Sequence, residues 1–441
     1  MKNLLVVAYY FPPSGGPGVQ RVLKHIKYLP ALGWNPYVLT VENGTFPARD
    51  ESLLKEIPEG MVVRRTHIFE PYEIYKYFTG KQGKATDVNN IKKEGQKTSG
   101  KDKIAEFLRA TFFIPDARCY WRNNAVKAGL EMIEEFHIDA IYSSSPPYTA
   151  SLIARDLKRK SALPWIAGFR DPWTKFLTTP KRWFIPAAID RAFEKSVFKE
   201  ADEVECAWQG IIDDARGKYP FLKAEKFHHV PNGFDSDDFP KVDTKRNDKF
   251  TITYTGSLYG RRNPASLFQA LEKLVERNVI DTAKLRLRFV GRFGDEINEI
   301  FETSNLKNCI ETLDYVPHKK SIEYLLQSDA LLLIVDDSKD SKDIVPGKVY
   351  EYIGTLKPVI AIAPENSAIA DLIKEVDGGF VASESDIDSI AAGVEKLYTR
   401  WMNDEDLLNT NTSAVNKYER KEATKELARL LNNGQLLIVN G

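Results

Sequence analysis

The chain has little cysteine and no pattern in what it has: Cys119, Cys206 and Cys309 lie far apart and form no C-x-x-C pair. That spacing excludes a disulfide framework and a structural zinc knuckle, and it fits a reducing compartment. An excess of either charge is also missing, with Lys+Arg and Asp+Glu equal at 62 each. No global field therefore draws the protein onto nucleic acid. Nowhere does an apolar run approach the roughly 18 to 20 residues of a membrane span. The first residues, Met1 to Tyr10, contain an apolar run that ends in Phe11-Pro12-Pro13 without a small-residue cleavage site, so a first buried strand is expected rather than a signal sequence. A cytoplasmic location follows, with peripheral contact at the inner face of the cell membrane left open.

What is present belongs to a well-cored protein of two domains. Hydrophobic residues make up 43% of the 441 and charged residues 28%. Short apolar runs alternate with amphipathic segments: Leu4 to Ala8, Pro36 to Val41, Met61 to Thr66, Ala140 to Ser143, Trp165 to Phe169 and Glu203 to Ala207 in the first half. Thr251 to Tyr254, Leu285 to Val290, Leu331 to Val335 and Val359 to Ile362 repeat the theme in the second. Continuous apolar strands separated by helices predict parallel sheets covered on both faces. Between the first two strands, Val19, Val22, Leu23, Ile26 and Leu29 recur at helical spacing, with Arg21, Lys24 and Lys27 on other faces. The turn-rich Val230-Pro231-Asn232-Gly233 and the polar stretch to Lys249 mark a boundary. The expected domains are 1–235, 236–405 and a C-terminal helical segment 406–441 that packs back on the first. Residues Thr79 to Lys103, rich in lysine, glycine and asparagine, read as a mobile surface loop.

Four segments carry chemistry. After the first strand, Gly16 and Gly18 let a backbone approach a ligand, and the helix start with Arg21 favours anions. Gly16-Pro17-Gly18 nearly matches a dinucleotide fingerprint, but Arg21 fills the third glycine position, where close packing needs no bulk. NAD binding, a plain turn and a sugar-nucleotide or acceptor loop all stay open there. Ser145 and Asp171 each follow a strand and so stand at a sheet's carboxyl edge, where Asp171 could deprotonate or orient a hydroxyl. The alternative for Asp171 is a local pair with Arg170. Gly256, Ser257, Arg261 and Arg262 follow the first strand of the second half, and the fixed guanidinium charges suit a diphosphate. A solvated surface pair is the alternative.

The fourth segment is the most telling. After an apolar strand come Asp343, Pro346, Gly347, Lys348 and Glu351, with a helix opening at Pro346 and Gly347. A helix start beside a lysine seats a phosphate, and a carboxylate one turn on can hold sugar hydroxyls. Adjacent acids such as Asp213-Asp214 read as solvated or capping residues and His228-His229 lacks metal-ligand spacing to other histidines, so no metal is expected; nor is any cofactor. From Lys181 to Lys199 a basic amphipathic helix beside Trp183 and Phe184 suits either an anionic bilayer or an ordinary domain surface.

Taken together, the glycine loop, Arg170-Asp171-Pro172-Trp173, Val230-Pro231-Asn232-Gly233, Thr255-Gly256-Ser257 and the Asp343–Glu351 segment resemble glycosyltransferase family 4, retaining sugar-nucleotide transferases. The run Tyr10 to Arg21 resembles the branch of bacterial cell-surface polysaccharide synthesis. The resemblance implies an α/β GT-B fold, two Rossmann-like domains with parallel sheets facing an interdomain cleft. It implies a nucleotide-diphosphate sugar as donor and a glycan or lipid-linked acceptor, with no nucleic acid. Relatives carry two glutamates eight positions apart, a spacing that here joins Asp343 to Glu351. Glu351 would then contact the ribose and Asp343 the donor sugar. Ser257 stands where many relatives have arginine, which leaves the diphosphate charge to Arg261 or Arg262. Asp171 lies where many place a catalytic histidine. A sugar-nucleotide epimerase and a non-catalytic binding subunit are the alternatives on the same fold.

Overall fold

The computed structural model describes residues 1–46, 49–69, 107–174, 179–242, 246–260, 262–335, 345–408 and 410–439. Three sequence expectations lie outside them: the 79–103 loop, Arg261 and Asp343. The chain forms two compact units, Met1–Asn232 with Arg420–Gly441, and Gly233–Glu419.

The first unit is built on a seven-stranded sheet. Its strands are β1 (Lys2–Ala8), β2 (Trp34–Val41), β3 (Val63–Thr66), β4 (Ala140–Ser145), β5 (Trp165–Phe169), β6 (Glu203–Cys206) and β7 (Phe227–His229), in the order β3-β2-β1-β4-β5-β6-β7. Every neighbouring pair is parallel, with Leu4 facing Pro36 on one side and Ala140 on the other. Alternate residues of β1 feed two separate cores. Leu5 and Val7 join Leu39, Val41 and Trp121, while Leu4, Val6 and Ala8 join Trp34, Val38 and the helix Pro17–Tyr28. This explains why the strand reads as an unbroken apolar run: both faces are covered.

The spacing puts Arg21 and Lys24 on faces of that helix other than the apolar one, yet both are buried. The reason is a third layer. The C-terminal helix Arg420–Val439 lays Leu427, Ala428, Leu430 and Leu431 against Val19, Val22, Leu23 and Ile26. With apolar contacts on two sides, little of the first helix is left for solvent. Beneath it, Arg21 donates to Glu205 Oε1 of β6 at 2.7 Å, to Val230 O at 2.8 Å and to Asn232 Oδ1 at 3.2 Å. Tyr142 OH donates to Glu205 Oε2 at 2.6 Å, and His25 Nε2 stands 3.6 Å from Oε1. Burial opposes the charge on Glu205, but Arg21, His25 and Tyr142 outweigh it and hold the carboxyl down to about 2. His25, pushed down by the same burial, meets Thr424 Oγ1 of the C-terminal helix at 3.0 Å. At Gly168 on β5 a Cβ would lie 2.6 Å from the Tyr142 hydroxyl, so only glycine leaves room for this cluster.

The second unit repeats the design with six parallel strands. These are β8 (Phe250–Thr255), β9 (Leu285–Val290), β10 (Ile310–Leu313), β11 (Ala330–Ile334), β12 (Val359–Ile362) and β13 (Gly379–Ala382), in the order β10-β9-β8-β11-β12-β13. Ile252, Leu287, Leu332 and Ile360 feed one core; Leu331, Leu333, Val359 and Ala361 feed the other. Along β8 the other set of alternate residues is Thr251, Thr253 and Thr255, all buried. Each is matched: Asp329 takes the Thr251 N–H at 2.8 Å, Ser328 donates to Thr253 Oγ1 at 2.6 Å, and Tyr352 OH accepts from the Thr255 N–H at 3.0 Å. Among the described residues no helix is long and apolar enough to cross a membrane.

The Arg21–Glu205 pair is a strong constraint because each partner would be an uncompensated buried charge without the other. Arg21→Met is expected to destabilise the first unit by about 3–5 kcal/mol. Urea unfolding followed through the first-unit transition measures it; a midpoint unchanged from the parent protein contradicts the assignment.

Candidate functional site

Both sheets reverse direction at the same place. In the first unit the chain runs from β1 outward to β2 and β3, then returns to place β4 on the opposite side of β1. The second unit does the same around β8 and β11. Crossovers of one hand then lead away from the gap in opposite directions, and the carboxyl ends of the two central strands border an open crevice.

In the second unit that crevice lies between the loop after β8 and the helix Gly347–Gly354 that follows β11. Pro346 caps this helix in extended conformation, φ −61° and ψ 141°, and Gly347 opens it. The apolar residues Val349, Tyr352 and Ile353 anchor it to the core, which leaves Lys348 and Glu351, one turn apart, on a shared side. The Lys348 amine donates to Tyr254 OH at 2.9 Å and to Thr255 O at 2.8 Å, and it lies 4.3 Å from the centre of the Tyr254 ring. Burial, with Arg262 nearby adding to it and Glu351 opposing, lowers its pKa to about 7.

Gly256 makes this arrangement possible. Its φ of +116° suits only glycine, and a Cβ there would stand 2.7 Å from the Lys348 amine. The loop beyond it is tied down: Gly256 N–H to Val290 O at 2.8 Å, Leu258 N–H to Arg292 O at 3.0 Å, and Gly260 N–H to Glu296 Oε1 at 2.8 Å. Ser257 contributes its carbonyl, which accepts from Tyr254 OH at 3.1 Å. A turn closed by Arg262 N–H to Tyr259 O brings the Arg262 guanidinium 5.7 Å from the Tyr259 ring centre. Glu351 is bound by His318 Nε2 at 2.7 Å, from the start of the helix His318–Leu326. The structure therefore brings together Gly256, Ser257, Pro346, Gly347, Lys348 and Glu351, with Arg262 close enough to act on the lysine.

In the first unit Gly16 and Gly18 follow β1, and Asp171 follows β5, the strand next to β4. Gly16, φ +98°, caps the first helix, and a Cβ on Gly18 would lie 3.1 Å from the Arg170 guanidinium. Arg170 donates to Ser144 Oγ at 2.5 Å and to Pro146 O, so it is not spent on Asp171. The Asp171 backbone is fixed by Tyr148, whose hydroxyl reaches Asp171 O at 3.4 Å and also Pro172 O. Its carboxyl accepts no hydrogen bond among the described residues, and burial raises its pKa against the pull of Arg170. Ser145 is placed differently. Its hydroxyl is fully buried and shared with Ser151 Oγ at 2.6 Å. Arg21 also points inward, onto Glu205.

Four participants escaped the sequence pattern: Tyr254, Tyr352, His318 and Glu205. The first two are buried aromatics whose hydroxyls are what matter. His318 lies 33 residues from Glu351 with no local motif joining them. Glu205 did carry a signal, since an acid inside an apolar strand needs a buried partner.

Residues 235–414, nearly all of the second unit, match the family model described as Glycosyl transferases group 1. No curated protein sequence matches the chain. Among solved structures it is similar to sucrose-phosphate synthase from Thermosynechococcus elongatus, at 12% identity, with 100% of each chain covered and a TM-score of 0.63. It is also similar to HepE of Anabaena in complex with UDP and glucose, at 14% identity over 98% of this chain and 99% of that one, TM-score 0.58. A lipopolysaccharide outer core galactosyltransferase, WaaB, aligns over 99% of both chains at 14% identity and TM-score 0.55. At these identities the likeness shows the fold, the two Rossmann-like domains of the GT-B class.

The lowered lysine pKa has a measurable sign. Unfolded, Lys348 keeps its proton to about pH 10, whereas folded it releases it near pH 7. Between those values the unfolded state binds more protons, so this residue adds a rise of stability with pH. Thermal melts of the parent protein and of Lys348→Met from about pH 6 to pH 9 should show the parent gaining relative to the variant as pH rises. Parallel curves would refute it.

Proposed function

We propose that the protein is a retaining glycosyltransferase of family 4 type. In this proposal it moves a sugar from a nucleoside-diphosphate sugar to a hydroxyl of a glycan or lipid-linked acceptor in polysaccharide synthesis. The observation that carries this is Lys348: a partly desolvated amine at a helix start, fixed at the β8/β11 crevice of the unit that matches the group 1 transferase model. HepE, at low identity, has been solved with UDP and glucose, which favours the same class of donor here.

The chemistry is management of charge. When the bond between the anomeric carbon and the diphosphate oxygen breaks, its electron pair stays on the diphosphate. Lys348, Arg262 and the positive end of the Gly347–Gly354 helix meet that charge, with Arg261 beside Arg262 in sequence. Because these cations are built in, we assign the leaving group's neutralisation to them rather than to a metal, and no cofactor is needed. Gly256 and Ser257 let the diphosphate approach the backbone of the loop. Glu351 binds the ribose, exchanging its contact with His318 or sharing it, and Asp343 is assigned to the donor sugar. In the first unit Asp171 is assigned to the acceptor hydroxyl. Its raised pKa, and a carboxyl that accepts no hydrogen bond among the described residues, suit a group that orients that hydroxyl or takes its proton. Gly16 and Gly18 line the same crevice.

Calorimetric titration with uridine and guanosine diphosphates tests the donor site. Arg262→Ala together with Lys348→Ala should weaken binding at least about a hundredfold, since charged hydrogen bonds contribute about 1.5–3 kcal/mol each. EDTA should leave the parent affinity unchanged. Retained affinity in the double variant sinks the diphosphate assignment. Asp171→Asn separates the other half: nucleotide affinity stays, while turnover of the nucleotide sugar falls about 10²- to 10⁴-fold. Undiminished turnover would remove Asp171 from the chemistry.

A further inference from the structure

Two helices of the second unit meet at one polar contact, from His318 to Glu351. The helix His318–Leu326 follows the edge strand β10, and residues 318, 322 and 325 share one of its faces at i, i+4, i+7 spacing. Ile322 and Leu325 are buried there, so the imidazole extends an inward face by one turn, to the helix start. Pro317 fixes that start: its carbonyl accepts the N–H groups of Lys320 and Ser321, each at 3.0 Å. Glu351 stands between the buried Tyr350 and Tyr352 on the helix Gly347–Gly354. Both partners are thus carried on anchored elements. Because a carboxylate can only accept, Nε2 carries the proton and donates to Oε1 at 2.7 Å.

The two side chains are 29% and 26% exposed, and a pair so open to water adds little to stability. The contact decides instead where the carboxylate stands. Lys348 is the other charged residue of the same helix, at the i, i+3 spacing where opposite charges ordinarily meet. Yet the two are not paired. The lysine amine turns to Tyr254 and Thr255 of β8, while Glu351 is drawn to the helix after β10. Without His318 the acid would have that lysine within reach, and each would neutralise the other. Glu351 Oε2, in turn, accepts no hydrogen bond among the described residues. We propose that His318 is a positioning residue: it holds Glu351 apart from Lys348 with one oxygen bound, and the other takes a ribose hydroxyl of the donor. Resting on the donor site proposed above, this role means that the His318 contact is kept while the ribose binds. It also makes the site selective for a ribose that carries its hydroxyls. A glutamate fixed beforehand loses less freedom when the ligand arrives.

Calorimetry of the full chain with uridine and guanosine diphosphates and their 2′,3′-dideoxy counterparts tests this. The parent is expected to bind the ribose form of at least one about tenfold or more tightly than its dideoxy form, the size of a single charge-assisted hydrogen bond. His318→Leu, which continues the apolar face of its helix, should bring that ratio close to one. His318→Gln, whose amide N–H can still donate to Glu351, should restore most of it. In a Glu351→Ala background His318→Leu should lower affinity no further, because the histidine acts only through the acid. Each ratio is taken within one variant, so a smaller folded fraction does not alter it. A ratio kept by His318→Leu but lost in Glu351→Ala overturns the role of His318 and leaves the ribose assignment of Glu351 standing. So does an equal loss of ribose and dideoxy binding in His318→Leu, which marks a purely structural contact. A ratio kept in Glu351→Ala, or a parent that binds neither diphosphate or does not discriminate, removes the ribose assignment and this role with it.

Discussion

Parallel pairing is the constraint on which the rest depends. A parallel strand cannot be joined to its neighbour by a tight turn, so the chain must leave the sheet, cross one face and return to the same edge. Both faces become covered, both sets of alternate residues become core, and polar chain ends collect at the carboxyl edge. Where the crossovers change direction, beside β1 and beside β8, no connection closes the gap. The candidate groups gather at those two points for that reason. Lys348 and Gly256 border one; Gly18 and the Arg170 side chain border the other, with Asp171 next in sequence.

Within the second unit the geometry sets up a tension that a ligand can relieve. Lys348 is held by one phenol and one carbonyl, neither of them charged, and burial penalises its ammonium form. Glu351 is already engaged by His318. In the function proposed above, a diphosphate would add negative charge beside the lysine beyond what Glu351 brings, so its binding and the lysine's protonation would favour one another. The polar seam of Thr251, Thr253 and Thr255 serves a different end. It satisfies backbone and hydroxyl groups deep in the sheet and so fixes Tyr352, and with it the helix that carries Lys348.

Much of this was legible beforehand because the physics was local. Continuous apolar runs marked β1, β2, β4, β5, β8, β9, β11 and β12, and Pro346-Gly347 marked the helix start. The short strands β7, β10 and β13 were not legible: each is three or four residues and carries polar or partly exposed positions. Arg21 looked like a ligand-binding cation on an outer helix face. Only the distant Glu205, together with a helix four hundred positions later, turns it into a buried structural one. Ser145 likewise looked available at a strand end, and its hydroxyl turns into the core toward Ser151. Side-chain direction at a loop depends on partners the local sequence does not name. Lys348 and Glu351 were readable because helix periodicity alone puts them on one side.

The C-terminal helix has a consequence for the order in which this protein takes shape on the ribosome. His25 and Thr424 are separated by 399 positions, and the intervening chain builds the entire second unit. At about 5–20 residues per second the stretch between them takes roughly 20–80 s to synthesise. Throughout that interval the first helix of the nascent chain shows Val19, Val22, Leu23 and Ile26 without their final cover. The second unit has its own sheet and both its cores complete before that cover exists. The first helix is thus finished after the whole second unit, and a chaperone would have that interval in which to meet it.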